Sequence, residues 1–307
     1  MFGDIILGTT AAKQLKKTYP DSQITYITSH KALTETNPYI DVSYERHLPK
    51  RFEKIYFQIV KKFYDKSFHL KHWLPQANML QSFMADVGLE RKNYKTKLYL
   101  TKKDLSLADN YLDQCQSYNK EKKNIAIQED FERKWNETEV IKLKKMLIKD
   151  FNLIEIGHSM KINNKQLNIR QAAAVISKCD LYLGGISANL HGAVAVGIPT
   201  IGISCAFNPK WDMPEFSQNE FIKDKSKKHI TVKINPKKFC GYYAKSYLTE
   251  EFVYVHGGDY SPKKCFKEIN KMHDPIAEKY YEKLVEYPCY CSIDAIDVFK
   301  IVKGYFD

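Results

Sequence analysis

No stretch of this sequence approaches the about 18 consecutive apolar residues that a membrane-spanning helix needs. Its start lacks the charged, apolar and small-residue regions of a secretory signal. Both absences predict a protein that stays in the cytoplasm. Seven cysteines, an odd number in a chain of 307 residues, do not make a disulfide framework and fit a reducing compartment. Acidic residues are also short, at 36 against 48 Lys and Arg, which leaves a formal charge of +12. Such a surface attracts phosphorylated small molecules, anionic headgroups and polyanions alike. A helix-turn-helix, zinc-finger or RNA-recognition signature is missing, so charge is the sole argument for a nucleic-acid partner, and none is expected.

The hydrophobic content of 44% and aromatic content of 13% suit a folded protein with a substantial core. Short β-branched or aromatic runs alternate with helix-period segments, the pattern of βα units and parallel sheets. In the first half QITYIT (23–28), IDVSYE (40–45) and KLYLT (97–101) read as strands, with helices near 9–18, 50–66, 78–87 and 103–114. The second half offers strands at 124–128, 152–157, 180–184 and 199–204. Helices near 137–149, 169–178 and 188–196 interleave with them, and further helices are expected near 275–285 and 292–304. The polar run QSYNKEKKN (116–124) resembles a linker. It places two α/β domains at 1–118 and 119–307.

Three stretches carry chemistry. In GDIILGTTAAKQLKKTYPD (3–21), Gly3 and Asp4 read as a turn feeding a helix N-terminus, where a carboxylate lies beside free backbone N–H groups. A helix-capping Asp has the same appearance. In LNIRQAAAVISKCDLYLGGISANLHGAVAVGIPTIGIS (167–204), a strand and Gly-Gly turn place Ser187, Ala188 and Asn189 at a helix start. Small side chains and free N–H groups there favour a diphosphate. His191 falls in the first turn, facing the same space or packed in the core. In IAIQEDFERKWNETEVIKL (125–143), Lys134 follows a strand's C-terminal end, a position from which a cation neutralises a leaving phosphate. Gly157, which closes the NLIEIG strand, is counted with the donor-binding residues.

In this order the three stretches resemble the family-nine glycosyltransferases, the ADP-heptose heptosyltransferases and their relatives, over most of residues 3–211. The matches are the Gly3-Asp4 opening, the Lys134-Trp135 loop, and the signature positions Ser187, His191, Gly197, Pro199 and Thr200. The resemblance implies a GT-B fold, an α/β architecture of two Rossmann-like domains whose parallel sheets face across a cleft. It implies a metal-independent, cofactor-free, inverting transfer from a nucleotide-sugar, ADP-linked heptose, to a glycan, glycolipid or protein acceptor. Asp4 is then the general base, Lys134 and the helix entry at Ser187 stabilise the departing diphosphate, and the acceptor sits on the N-terminal domain. A lipopolysaccharide-core role and a place on the inner face of the inner membrane follow from the same resemblance. The sequence departs from the pattern at Ile186, where the family has Asp, and at Ala188, where it has Gly. The family has a strand before its Gly-Asp, whereas only Met1 and Phe2 stand ahead of Gly3 here, so either that strand is missing or the true start lies upstream of Met1. A non-catalytic nucleotide-sugar or glycan-binding relative is the alternative.

Two features stay open at this level. One subgroup of the family carries a four-cysteine iron site, and Cys240, Cys265, Cys289 and Cys291 fall in the matching region without forming Cys-x-x-Cys pairs. They are either metal ligands or free thiols. The run RHLPKRFEKIYFQIVKKFYDKSFHLKHW (46–73) mixes basic and aromatic residues. An amphipathic helix that packs Ile55, Ile59 and Phe63 inward is one reading; an anionic acceptor or membrane surface is the other.

Overall fold

The computed structural model describes residues 2–46, 53–70, 79–90, 95–115, 118–128, 137–185, 187–204, 229–233 and 294–307. Its elements in chain order begin with α1 (Phe2–Thr18), β1 (Thr25–Thr28), β2 (Val42–Glu45), α2 (Glu53–Val60), α3 (Met79–Asp86) and α4 (Lys102–Asp113). They continue with β3 (Asn124–Gln128), α5 (Glu137–Leu147), β4 (Asn152–Ile156), the short β5 (Lys161–Ile162) and β6 (Lys165–Gln166), and α6 (Ile169–Ile176). The series closes with β7 (Leu181–Gly185), α7 (Ala188–Val196), β8 (Thr200–Ser204), β9 (His229–Lys233) and α8 (Ala295–Phe306). Among the described residues no helix is long and apolar enough to cross a membrane.

A parallel sheet of order β4-β3-β7-β8-β9 organises the second half. All five residues of β3 and of β7 are buried, as expected for strands covered on both faces. Alternation sorts them. Ile125, Ile127, Leu181 and Leu183 join Leu143 and Leu147 of α5 and Val298 and Val302 of α8 in one core. Ala126 and Tyr182 face the other way, onto residues of α4, α6 and α7. Burial at about 25 cal/mol per Å² of apolar surface makes these two layers the main stabilising term.

The helix boundaries follow local chemistry. Asn168 and Gln171 form a reciprocal capping box at the start of α6, each side chain accepting from the other's backbone N–H at 2.9 Å. Thr101 and Asp104 do the same for α4. α7 ends on Gly197, whose φ of +86° is the left-handed geometry glycine adopts without strain.

The first half departs from expectation in three places. β1 and β2 pair in parallel, but KLYLT (97–101) is not a strand. Its backbone groups find other partners: Leu98 N–H donates to Ala195 O at 2.9 Å, and Tyr99 O accepts from Thr36 Oγ1 and Arg170 Nη2. Secondly, the Gly3-Asp4 pair is not a turn before a helix starting near residue 9. α1 begins at Phe2, because Ile6, Leu7, Ala11 and Ala12 are all buried at helical spacing. Thirdly, Ile55, Ile59 and Phe63 do not pack inward; they are 60%, 54% and 78% exposed. β9, an alternating HITVK edge strand, was not expected, and the helix expected near 275–285 lies outside the described residues.

The two halves share a core. Ile6, Leu33 and Leu98 cluster with Ala173 of α6 and Ala195 of α7.

Candidate active site

Of the five strands in this sheet, the first in chain order, β3, lies between the second and third, β4 and β7. Strand order reverses there, and ligands of open parallel sheets bind in the crevice beyond the carboxyl ends at such a switch point. The residues at those ends are Gln128, after Ile127, and Gly184-Gly185.

Gln128 is 4% exposed and shapes this edge. Its Oε1 accepts from Gly185 N at 3.0 Å, Tyr182 Oη at 3.2 Å and Ser187 Oγ at 3.2 Å. The approach is so close that a Cβ on Gly184 would lie 2.8 Å from Oε1. Sequence reasoning passed over Gln128. A polar residue closing an otherwise apolar buried strand was the available signal.

Ser187 is the N-cap of α7 in extended geometry, and its side chain makes no cap hydrogen bond. The hydroxyl is turned to Gln128 instead. The first N–H groups of α7 are therefore not capped by Ser187, and the positive end of the helix dipole faces the switch-point crevice. Ala188 and Asn189 are half-buried in that first turn. Gly157 follows β4 at the same sheet edge, since Ile156 is paired with Gln128.

Asp4 is exposed in the first turn of α1, with a carboxylate beside the N–H groups of that turn. Gly3 next to it packs on His191: a Cβ at Gly3 would lie 2.4 Å from His191 Cδ2. Further along, Ile6 and Ala195 share a core, so α1 and α7 open on the same side of the molecule. Two helix N-termini thus stand together with Asp4 between them and solvent. His191 is buried at 8% exposure, and burial holds its pKa down at about 4 despite the attraction of the Asp4 carboxylate. At neutral pH it is an uncharged imidazole. Burial, and then Asp4, push the Tyr26 hydroxyl up from its ordinary range; that hydroxyl meets α1 at Gly8, one turn beyond Asp4.

The structure thus brings Asp4, His191 and the Ser187–Asn189 turn together, with Gly157 at the same sheet edge. Lys134, Trp135, Ile186 and the cysteines 240, 265, 289 and 291 lie outside the described residues. Among the described residues no cluster of His, Cys, Asp and Glu could hold a metal ion.

The contact at Gly3 is testable. Gly3→Ala forces a methyl into the buried His191 ring, and overpacking of this kind costs about 1–3 kcal/mol. A lowered midpoint in chemical denaturation is the expected result. A midpoint at or above wild type would mean that the two helices separate freely.

Comparison with solved structures decides the architecture. A family-nine glycosyltransferase from Veillonella parvula DSM 2008 superposes with a TM-score of 0.64 at 13% identity, covering 99% of this chain and 94% of that one. The chain has a GT-B fold. The iron-containing dodecameric glycosyltransferase TibC from enterotoxigenic E. coli H10407 aligns with 100% of this chain and 74% of its own, at a TM-score of 0.60 and 11% identity. E. coli ADP-heptose lipopolysaccharide heptosyltransferase II aligns over 75% of this chain and 87% of its own, with a TM-score of 0.54 and 15% identity. TibC also has a structure in complex with ADP-D-β-D-heptose. No family model matches the sequence, and no curated protein does.

Proposed function

We propose that this GT-B chain is an inverting glycosyltransferase that moves a sugar, heptose, from an ADP-linked donor to a hydroxyl of a glycan, lipopolysaccharide-core or protein acceptor. The observation that carries the reading is the docking of Gly3 on His191, which brings the first turn of α1, with Asp4, against the first turn of α7, whose N-cap Ser187 makes no side-chain cap bond. The first half, to about residue 118, then presents the acceptor, and the second binds the nucleotide-sugar. The neighbours support the donor class, since two of the three are ADP-heptose proteins by name or by bound ligand.

The chemistry balances with few parts. The Asp4 carboxylate takes the acceptor hydroxyl's proton as that oxygen forms its bond to the anomeric carbon. The bond from that carbon to the β-phosphate oxygen breaks, and the nucleoside diphosphate leaves with the electron pair. The first amides of α7, at Ala188 and Asn189, face the growing negative charge, and Lys134 adds its ammonium. Gln128 holds the turn that aims those amides. His191, neutral at pH 7, brings no competing charge and spaces α1 from α7.

A thermal-shift panel of ADP-, GDP-, UDP- and CMP-linked sugars tests the donor. A ligand at 100 times its Kd adds about 2.7 kcal/mol of stability, so one nucleotide class should stand out. In calorimetry Ser187→Glu should weaken ADP binding at least about tenfold, because it sets a carboxylate at the helix end that receives the diphosphate. Unchanged affinity places the nucleotide elsewhere. Ile186, standing where the family has Asp, favours a binding-only relative; turnover of any donor dismisses that alternative.

A further inference from the structure

We propose that Tyr26 is an acceptor-binding residue, whose hydroxyl donates to the sugar hydroxyl next to the one that Asp4 deprotonates. The assignment rests on the transferase reading above and narrows its acceptor to a glycan with neighbouring hydroxyls.

Two contacts set β1 against α1. The Tyr26 hydroxyl fills the place that a Cβ on Gly8 would take, and the His30 ring lies on Phe2 with centroids 4.2 Å apart. As the chain advances from Tyr26 to His30, its contacts on α1 therefore move back from Gly8 to Phe2. Thr28, which shares the Tyr26 face of β1, falls between them, opposite the turn that holds Asp4. This is the carboxyl end of the parallel pair β1-β2, the end at which open parallel sheets bind ligands.

Gly8 is the second observation. A glycine inside a 17-residue helix is disfavoured against alanine. What its missing side chain admits is the Tyr26 hydroxyl. Asp4 lies one turn earlier on the same face of α1, and side chains so spaced have Cβ atoms about 5–6 Å apart. The carboxylate and the phenol thus stand side by side. Burial, and then the Asp4 charge, hold the phenol's proton on, so the group is a donor at neutral pH. No hydrogen bond to another described residue uses that proton.

An acceptor and a donor one helical turn apart match two oxygens on adjacent carbons. A sugar ring presents that pair. A serine or threonine side chain presents one oxygen and leaves Tyr26 without a partner.

The test is saturation-transfer NMR of the full chain with the methyl glycosides of glucose, galactose, mannose and heptose, and with N-acetylserine methylamide, no donor being present. Wild type should bind at least one glycoside and not the serine compound. Tyr26→Phe should weaken that glycoside about three- to tenfold, the range for one neutral hydrogen bond. Its melting temperature and its affinity for ADP should match wild type, since the ring stays. One monodeoxy form of the glycoside should bind wild type as weakly as the parent binds Tyr26→Phe, and lose nothing further in that variant. Gly8→Ala combined with Tyr26→Phe sets the new carbon 3.6 Å from the ring's Cζ, an ordinary contact, so this pair should fold and stay as weak as Tyr26→Phe. Three outcomes overturn the proposal: no glycoside bound by wild type, the serine compound bound as well as the glycosides, or equal glycoside binding by wild type and Tyr26→Phe. Glycoside binding through Tyr26 in a chain that turns over no donor overturns the transferase reading and leaves this one standing. Turnover with the acceptor KM unchanged in Tyr26→Phe does the reverse.

Discussion

Asp4→Asn should leave the melting temperature and the affinity for ADP at wild-type values while transfer falls by about 10²-fold or more. Asn matches Asp in size and still accepts a hydrogen bond, but it lacks the basic lone pair needed to take a proton from an acceptor hydroxyl. The structure sharpens the test, because Asp4 lies in the first turn of α1, where a carboxylate also serves the helix end. If that service were its whole role, Asn would be nearly as good. Removing one charge near a helix N-terminus costs about 0.3–1 kcal/mol, too little to unfold the chain or to account for lost turnover. Steady-state rates with saturating donor, read beside a thermal melt, separate the two roles. Retained turnover sinks the base assignment; lost turnover with an intact melt supports it.

Much of this site was legible because its elements announce themselves locally. The helix expected near 169–178 is α6, which begins at Ile169 behind the reciprocal capping box of Asn168 and Gln171. Gly197 before Pro199 marks the end of α7; Gly184 and Gly185, expected as a turn ahead of it, are the last two residues of β7, paired with Gly202 and Ile203 of β8. The small-residue entry at Ser187 to Asn189 follows from composition alone.

What was not legible depends on partners distant in sequence. KLYLT has the composition of a strand, but a strand needs a neighbour with free ladder groups. Ala195, Thr36 and Arg170 take those backbone groups instead. The stripe of Ile55, Ile59 and Phe63 has the period of a buried helix face, and period says which side residues share without saying what covers it. Gln128 looked like the end of a strand; its role appears once β7 is paired beside β3.

Arg170 is the other such residue, and its loss should be the largest stability effect in the molecule. It sits at the start of α6 and is 4% exposed. Nε and Nη2 bind Asp104 Oδ2 at 3.0 and 2.7 Å, Nη2 also donates to Tyr99 O, and Nη1 donates to Ala32 O and Thr36 Oγ1 at 2.8 and 2.7 Å. Its five N–H donors thus meet five acceptor contacts, and Ala32, Thr36 and Tyr99 all belong to the first half. Arg170→Ala removes the cationic partner of the half-buried Asp104 carboxylate, which keeps only its bonds from Thr101, and the donors to two carbonyls, so a loss of about 3–5 kcal/mol is expected in denaturant unfolding. Lysine should not rescue it, having three donors and no planar fork. The pH dependence identifies the partner. Burial alone would raise the Asp104 pKa, but hydrogen bonds from Arg170 and Thr101 overcome it and hold the value at about 2. A depressed carboxylate contributes stability above its unfolded pKa of about 3.9, and that contribution disappears as pH falls through the folded value. The gap between wild type and Arg170→Ala should therefore be full above about pH 4 and narrow toward pH 2. A gap that keeps its size across that window would assign the loss to the carbonyl contacts rather than to the ion pair.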